Sequence, residues 1–363
     1  MSPGDISRRA WLWLAALASA QPNAAHAQGV SRRPLQFPQD FGAHPDTRTE
    51  WWYVTGSLAA AAQTYGFQIT FFRSRTGVDA AHPSRFAARQ LVFAHAALTD
   101  LPNARLRHDQ RIARSGFRIA EAAPGDTDVV LRDWRLARSG AAQQSLYNAH
   151  VASDSAGFRL ALSLAATQPV LLQGDAGFSR KGPEAAQASH YYSQPQLAAS
   201  GVLTLDGRAL AVRGTAWLDH EWSDSLLAAQ AVGWDWVGMN LDDGSALTAF
   251  RLRRADGGTL YAGGSVRARG GSVRSFAPDE VTFGAGRVWT SPGSRARYPV
   301  EWTLETPAGR HTVKALLDNQ ELDSRNSTGA IYWEGLSDLL DEHGQRVGRG
   351  YLEMTGYAAP LKL

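Results

Sequence analysis

Three consecutive titratable residues, Asp219-His220-Glu221, lie inside the run Trp217-Leu218-Asp219-His220-Glu221-Trp222. On an extended strand, neighbouring side chains face opposite ways. Asp219 and Glu221 then share a face with Trp217, and His220 shares the other face with Trp222. An imidazole beside an indole can deliver a proton, and the indole face attracts the cation that results. Other stretches combine the same residue types. His44-Pro45-Asp46, Arg48 and Glu50 run directly into Trp51-Trp52-Tyr53. Asp235 stands between Trp234 and Trp236, and the C-terminal region carries Tyr332-Trp333-Glu334-Gly335 and Tyr351-Leu352-Glu353. A carboxyl group in apolar surroundings has its pKa raised and keeps a proton that it can donate.

Packing competes with chemistry at each cluster. Aromatic-rich strands usually build cores, and the charges beside them usually form ion pairs. Trp51 and Trp52 read first as core, and Glu353 as an ion-pair partner for an arginine. His220 is where function competes with packing on equal terms. The catalytic candidates are His220, Trp222 and Asp235. The ligand-binding candidates are Asp219, Glu221, Trp234, Trp236, His44, Glu50 and Trp52.

Several chemistries are excluded by what the chain lacks. It has no cysteine, so disulfides, thiolate ligands and Cys nucleophiles are absent. No Gly-x-Ser-x-Gly elbow, His-Glu-x-x-His or Walker loop occurs. A His/carboxylate metal site from His44, Asp46, Asp219, His220 and Glu221 would join two distant segments without diagnostic spacing. No metal or other cofactor is therefore assigned. The net charge is +3, from 37 basic and 34 acidic residues, and the basic residues are scattered. No basic stripe of the kind that follows a nucleic-acid backbone exists, so nucleic acid is not an expected partner.

The elements that must position these residues are strands. Tyr65–Phe71, Phe158–Leu164 and Val300–Glu305 alternate apolar and polar residues with a period of two. Asp206-Gly207, Asp243-Gly244, Asp256-Gly257-Gly258 and Ala308-Gly309 supply turns between such runs. Helical periodicity is confined to Pro83–Gln90 and Ser225–Ala231, with Glu334–Asp341 ambiguous. No βαβ rhythm appears. With 363 residues, 44% hydrophobic and 12 Trp, the chain is long enough for two cores. The expected fold is all-β, with two antiparallel barrels meeting near 220–232. The expected division is 28–225 and 226–363.

The first 27 residues read as an address. Arg8-Arg9 precede Trp11-Leu12, an apolar run follows to about Ala20, and Ala25-His26-Ala27 offers a cleavage site before Gln28. The paired arginines resemble a twin-arginine export signal. The run is too short to span a bilayer, and no later apolar stretch is long enough. A periplasmic protein without an integral membrane segment is expected.

In order, the motifs His44-Pro45-Asp46, Glu50-Trp51-Trp52-Tyr53, Trp217–Trp222, Gly233-Trp234-Asp235-Trp236, Tyr332–Gly335 and Gly350–Tyr357 span nearly the whole chain. Together they resemble the AttH-like lipocalin family, which includes carotenoid 1,2-hydratase. The resemblance implies two lipocalin-like barrels in tandem. It matches His220 and Trp222 to a His-x-Trp pair implicated in hydratase catalysis. It makes Asp235 the candidate for an Asp of that site, whose Tyr has no assigned counterpart here. The function expected is binding of a hydrophobic, isoprenoid-like ligand, with protonation of a C=C bond and addition of water. The alternatives are a non-catalytic carrier or sensor of such a ligand, and a secreted hydrolase.

Overall fold

A computed structural model describes residues 29–361, except Ala80 and Leu226. The expected leader, 1–27, and its cleavage point lie outside the described residues. Among those residues the chain is all-β, with three single-turn 3-10 helices and no α-helix. The alternating runs at 65–71 and 158–164 fall in the strands Gln63–Arg75 and Phe158–Ala165, and that at 300–305 falls in Glu301–Thr306 apart from Val300, just before it. The ambiguous segment Glu334–Asp341 lies almost wholly in the strand Ala330–Leu340, whose pairing with Arg346–Met354 overrides its weak helical pattern. The described residues of 83–89 and 225–231 form turns, bends and irregular chain instead of helix, and Gln90 opens a strand.

The first sheet runs from Arg105–Arg114 through Gln90–Asp100, Gln63–Arg75 and Thr49–Ala60 to Arg208–Ser223. It continues through Ala188–Leu205, Phe158–Ala165, Leu146–Ser153, Trp134–Ser139 and Asp128–Leu131 to Ala120–Ala122. These 11 strands curl into a nearly closed barrel. The two edge strands are consecutive in the chain, and a Gly116–Ala120 bridge begins to join them. The second sheet contains ten strands between 233 and 354, again antiparallel.

The expectation of two closed barrels is corrected in the second half, where the sheet stays open. Its edges, Val273–Phe276 and Thr282–Ala285, are also consecutive, but they pair with Thr259–Arg267 and Glu301–Thr306 and not with each other. The turn Pro278–Glu280 lies between them and is closed by its own hydrogen bonds. Pro278 has no N–H to offer. Glu280 N donates to the Ala277 carbonyl, and the Glu280 carboxylate accepts from Ala277 N at 2.9 Å.

Each sheet buries a core on its concave side. In the first, Trp52, Phe71, Trp134, Tyr147, Tyr192 and Trp222 are among the side chains that fill it. Trp302, Trp333, Leu352 and Met354 belong to the second. The convex faces pack against each other through Tyr53, Trp217, Trp236, Phe250, Leu336 and Tyr351. Gly66 permits this close approach. A Cβ there would lie 2.8 Å from the Tyr351 hydroxyl and 2.9 Å from Leu336 Cβ. Gly66→Val is expected to cost about 1–3 kcal/mol through overpacking between the sheets. Urea unfolding should show a lowered midpoint.

Candidate functional site

The residues singled out by the sequence fall into three places. The first lies inside the barrel. On the strand Thr49–Ala60, Glu50 and Trp52 point inward, and on Arg208–Ser223 His220 and Trp222 do so. Register places Glu50 opposite Trp222 and Trp52 opposite His220. His220 contacts Glu50 Oε1 at 2.8 Å through Nε2 and the Tyr192 hydroxyl at 3.0 Å through Nδ1. His44 Nδ1 reaches the same Glu50 oxygen at 2.7 Å, and its Nε2 reaches Asp40 at 3.0 Å. Arg73 Nε donates to Glu50 Oε2 at 2.8 Å. Arg33 holds Asp40 with two 2.7 Å hydrogen bonds. The His44 ring stacks on Trp222 at 3.8 Å and 7°, and His220 stacks on Trp52 at 4.6 Å.

The charges in this network follow from its partners. His44 sits between two carboxylates. Burial opposes its protonation, but the hydrogen bonds to Asp40 and Glu50 outweigh it and raise the pKa. Burial likewise opposes charge on Glu50, yet the hydrogen bonds from His220 and His44 hold its carboxyl well below the usual range. His220 is fully buried, and burial lowers its pKa despite Glu50. The consistent assignment is imidazolium at His44 and neutral imidazole at His220, with Nε2–H donated to Glu50 and Nδ1 accepting from Tyr192. The Trp222 face then stabilises a cation, His44 itself.

His44, Glu50 and His220 also place three ligand atoms within 4.8 Å of one another, a spacing that could hold a metal ion. The donor set is committed elsewhere. One Glu50 oxygen serves both imidazoles, and the other serves Arg73 and the His44 backbone N–H. A cation would have to displace these hydrogen bonds beside the Arg73 guanidinium. Asp46, weighed as a ligand on sequence, is exposed, and Asp219 and Glu221 face the other side of their strand.

The second place corrects an expectation. Asp235 does not join His220. It lies on the concave side of the open sheet, completely buried, opposite Arg251 in register. Arg251 Nε contacts it at 2.7 Å, Arg253 Nε at 3.2 Å, and the Tyr357 hydroxyl donates at 2.9 Å. It is paired with two arginines within the second core and does not stand beside the imidazole.

The third place is the seam between the convex faces, where Asp219, Glu221, Trp234 and Trp236 lie. Glu334 and Glu353, directly opposite each other on neighbouring strands, join them there. Asp219 accepts hydrogen bonds from Ser193 and, at 2.7 Å, from Trp217 Nε1. Burial nevertheless raises its pKa to about 7. Glu221 pairs with Lys181 at 3.0 Å and accepts from Ser189. Lys181 Nζ stands 4.5 Å from the Tyr191 ring and 4.6 Å from Phe250. Burial and the neighbouring Glu353 push Glu334 well above the carboxylate range. Burial pushes Glu353 up to about 8; the Trp234 N–H opposes the shift, and the charges of Asp219 and Glu221 add to it. The Tyr53 hydroxyl and the Glu334 carboxyl lie against each other in the seam. Trp236 packs edge-on against both Tyr53 and Trp217. Trp234 and Glu353 keep partial exposure, so water reaches this side of the seam.

Reasoning from sequence placed Glu353 in an ion pair and gave Glu334 no role. Their convergence with Asp219 depends on how the two sheets pack, which no local pattern encodes. A surface cleft of about 560 Å³ between Thr167–Pro169 and Asp242–Gly244 is lined by none of the candidate residues.

The chain belongs to the AttH-like family, which it matches over residues 28–357. A crystal structure described as an AttH from Nitrosomonas europaea is 47% identical. It aligns with 90% of this chain and 98% of its own, at a TM-score of 0.83. The fold is also similar to that of kievitone hydratase from Nectria haematococca, at 14% identity, coverage of 90% and 94%, and a TM-score of 0.67. No curated protein matches the sequence.

Proposed function

We propose that the protein adds water to a C=C bond of an apolar, isoprenoid-like ligand, using carboxyl groups at the seam between the sheets. The observation that carries this reading is the apposed Glu334–Glu353 pair, Glu334 buried and Glu353 half-buried, raised towards its acid form beside the Tyr53 hydroxyl and the indoles of Trp217, Trp234 and Trp236. Two apposed carboxyl groups in a poorly solvated place resist ionising together. The resemblance of the fold to a hydratase agrees with this chemistry.

The steps balance without a cofactor. A carboxylic acid of the pair transfers its proton to the less substituted alkene carbon. The π electrons form the new C–H bond, leaving a tertiary cation on the neighbouring carbon. An indole face stabilises that cation. The oxygen of a water molecule bonds to the cation, and the resulting oxonium loses a proton to the Asp219 carboxylate. Proton return from Asp219 to the glutamate pair restores the site. His220 and Trp222 lie on the opposite face of the strand that carries Asp219 and hold it through the barrel core, a contribution to stability and not to the reaction.

The assignment gives a pH signature. The base must be ionised and the acid protonated, so kcat/KM should be bell-shaped, with its acid limb near 7 for Asp219 and its alkaline limb set by the Glu334–Glu353 pair, from about 8 upward. A panel of isoprenoid and fatty alkenes assayed across this range tests it. A profile flat through both limbs would contradict the assignment.

A further inference from the structure

Five of the nine large apolar side chains left exposed among the described residues fall within 78–86 and 112–119. Phe86 is 62% exposed and Phe117 43%, yet their rings stack on each other at 5.4 Å and 6°. Guanidinium groups flank this pair. Arg114 lies 5.3 and 4.4 Å from the two ring centroids, and Arg85 lies 6.0 and 5.5 Å away. Arg114 also donates to the Phe86 carbonyl at 3.3 Å, which ties the two loops together.

The backbone at Phe117 is held in an unfavourable conformation. Phe117 and Arg118 both have positive φ, 60° and 58°, which costs non-glycine residues about 1 kcal/mol or more each. That strain sustains a tip whose side chains contribute little to the core. The tip continues onto the barrel wall, where Phe72, Phe93 and Ile112 lie in one register row. The segments 75–90 and 111–121 together hold six arginines and two acidic residues, although the whole chain is only +3.

We infer that this end of the barrel docks on an anionic lipid surface, with Phe86 and Phe117 entering the interface and the arginines meeting lipid phosphates. Phenylalanine rings bury at the boundary between headgroups and acyl chains, and arginine can keep its charge at the phosphates while its stem lies along apolar surface. Each basic residue near an anionic leaflet contributes about 1 kcal/mol, a roughly fivefold change in binding. The rings and charges are presented together, so neither a purely electrostatic nor a purely apolar contact accounts for the patch. The inference is independent of what the seam catalyses.

The test is co-sedimentation of the chain from Gln28 onward, which lacks the apolar run of the leader and keeps both sheets. Vesicles of phosphatidylglycerol mixed with phosphatidylcholine are compared with phosphatidylcholine alone. Binding is expected only to the mixed vesicles, and it should weaken as salt shortens the reach of charge. Arg85→Glu/Arg114→Glu should reduce it at least about 25-fold, at about fivefold for each positive charge removed. Phe86→Ser/Phe117→Ser should reduce it while preserving the charge, and circular dichroism checks the fold of both variants. Equal binding to neutral vesicles, or unchanged binding by both variants, would overturn the inference. So would sedimentation-equilibrium data showing that the patch joins two copies of the chain while neither vesicle type is bound.

Discussion

Glu50→Ala is expected to lower folding stability by about 3–5 kcal/mol, the scale for removing one partner of a buried charge network. The carboxylate accepts from His44, His220 and Arg73, and Arg73 is only 1% exposed. Its loss leaves the guanidinium without its charge partner and the His44 cation with Asp40 alone. Glu50→Gln tests the same point with less change in volume, since the amide retains an acceptor but not the charge. Urea unfolding of both variants measures the loss. A change below about 1 kcal/mol, the ordinary range for exposed pairs, would show that the network does not hold the barrel.

The same network fixes the direction of the pH response. The pKa values of Asp40 and Glu50 are depressed on folding, so their contribution is present above the ordinary carboxylate range and is lost as pH falls through their folded values. His220 is depressed from 6.5, so its contribution also fades as pH falls below 6.5. His44 is raised from 6.5, and its contribution is complete below that value and fades as pH rises through the folded pKa. The network's own contribution should therefore fall as pH drops below the ordinary carboxylate range, whereas the raised Asp219, Glu334 and Glu353 make stability fall as pH rises through their folded values. Glu50→Ala should flatten the acid limb, because the variant has fewer depressed carboxylates left to protonate.

Much of this arrangement is legible in the sequence. Strand alternation alone separates His220 and Trp222 from Asp219 and Glu221, and burial with register places the two sets on the concave and convex faces. The limit is sequence distance. His220 and Glu50 are 170 residues apart, and nothing local announces that they share a hydrogen bond. Asp235 shows a nearer failure. Its flanking tryptophans suggested an apolar setting, but the hairpin brings Arg251 directly opposite, so a cross-strand ion pair replaced the expected acid.

The second large effect concerns the seam. Glu334→Gln keeps the shape and removes the acid proton from a buried carboxyl group beside the Tyr53 hydroxyl. If that proton starts the reaction, turnover should fall by about 100- to 10,000-fold, the usual contribution of a positioned general acid. Stability should hold or rise, since the variant no longer buries two facing carboxyl groups. His220→Asn is the contrasting variant. It is expected to lower stability and to leave turnover per folded molecule nearly unchanged, because both ring nitrogens are already committed within the barrel.

The most direct measurement is incorporation of oxygen from H₂¹⁸O into an isoprenoid or fatty alkene, read by mass spectrometry for wild type, Glu334→Gln and His220→Asn. The account predicts an alcohol carrying one ¹⁸O with wild type and with folded His220→Asn, and almost none with Glu334→Gln. Undiminished label with Glu334→Gln, or label abolished in folded His220→Asn alone, would contradict the seam as the reacting site. Binding of the alkene by all three proteins with no label in any would contradict the hydratase reading and leave the chain a carrier.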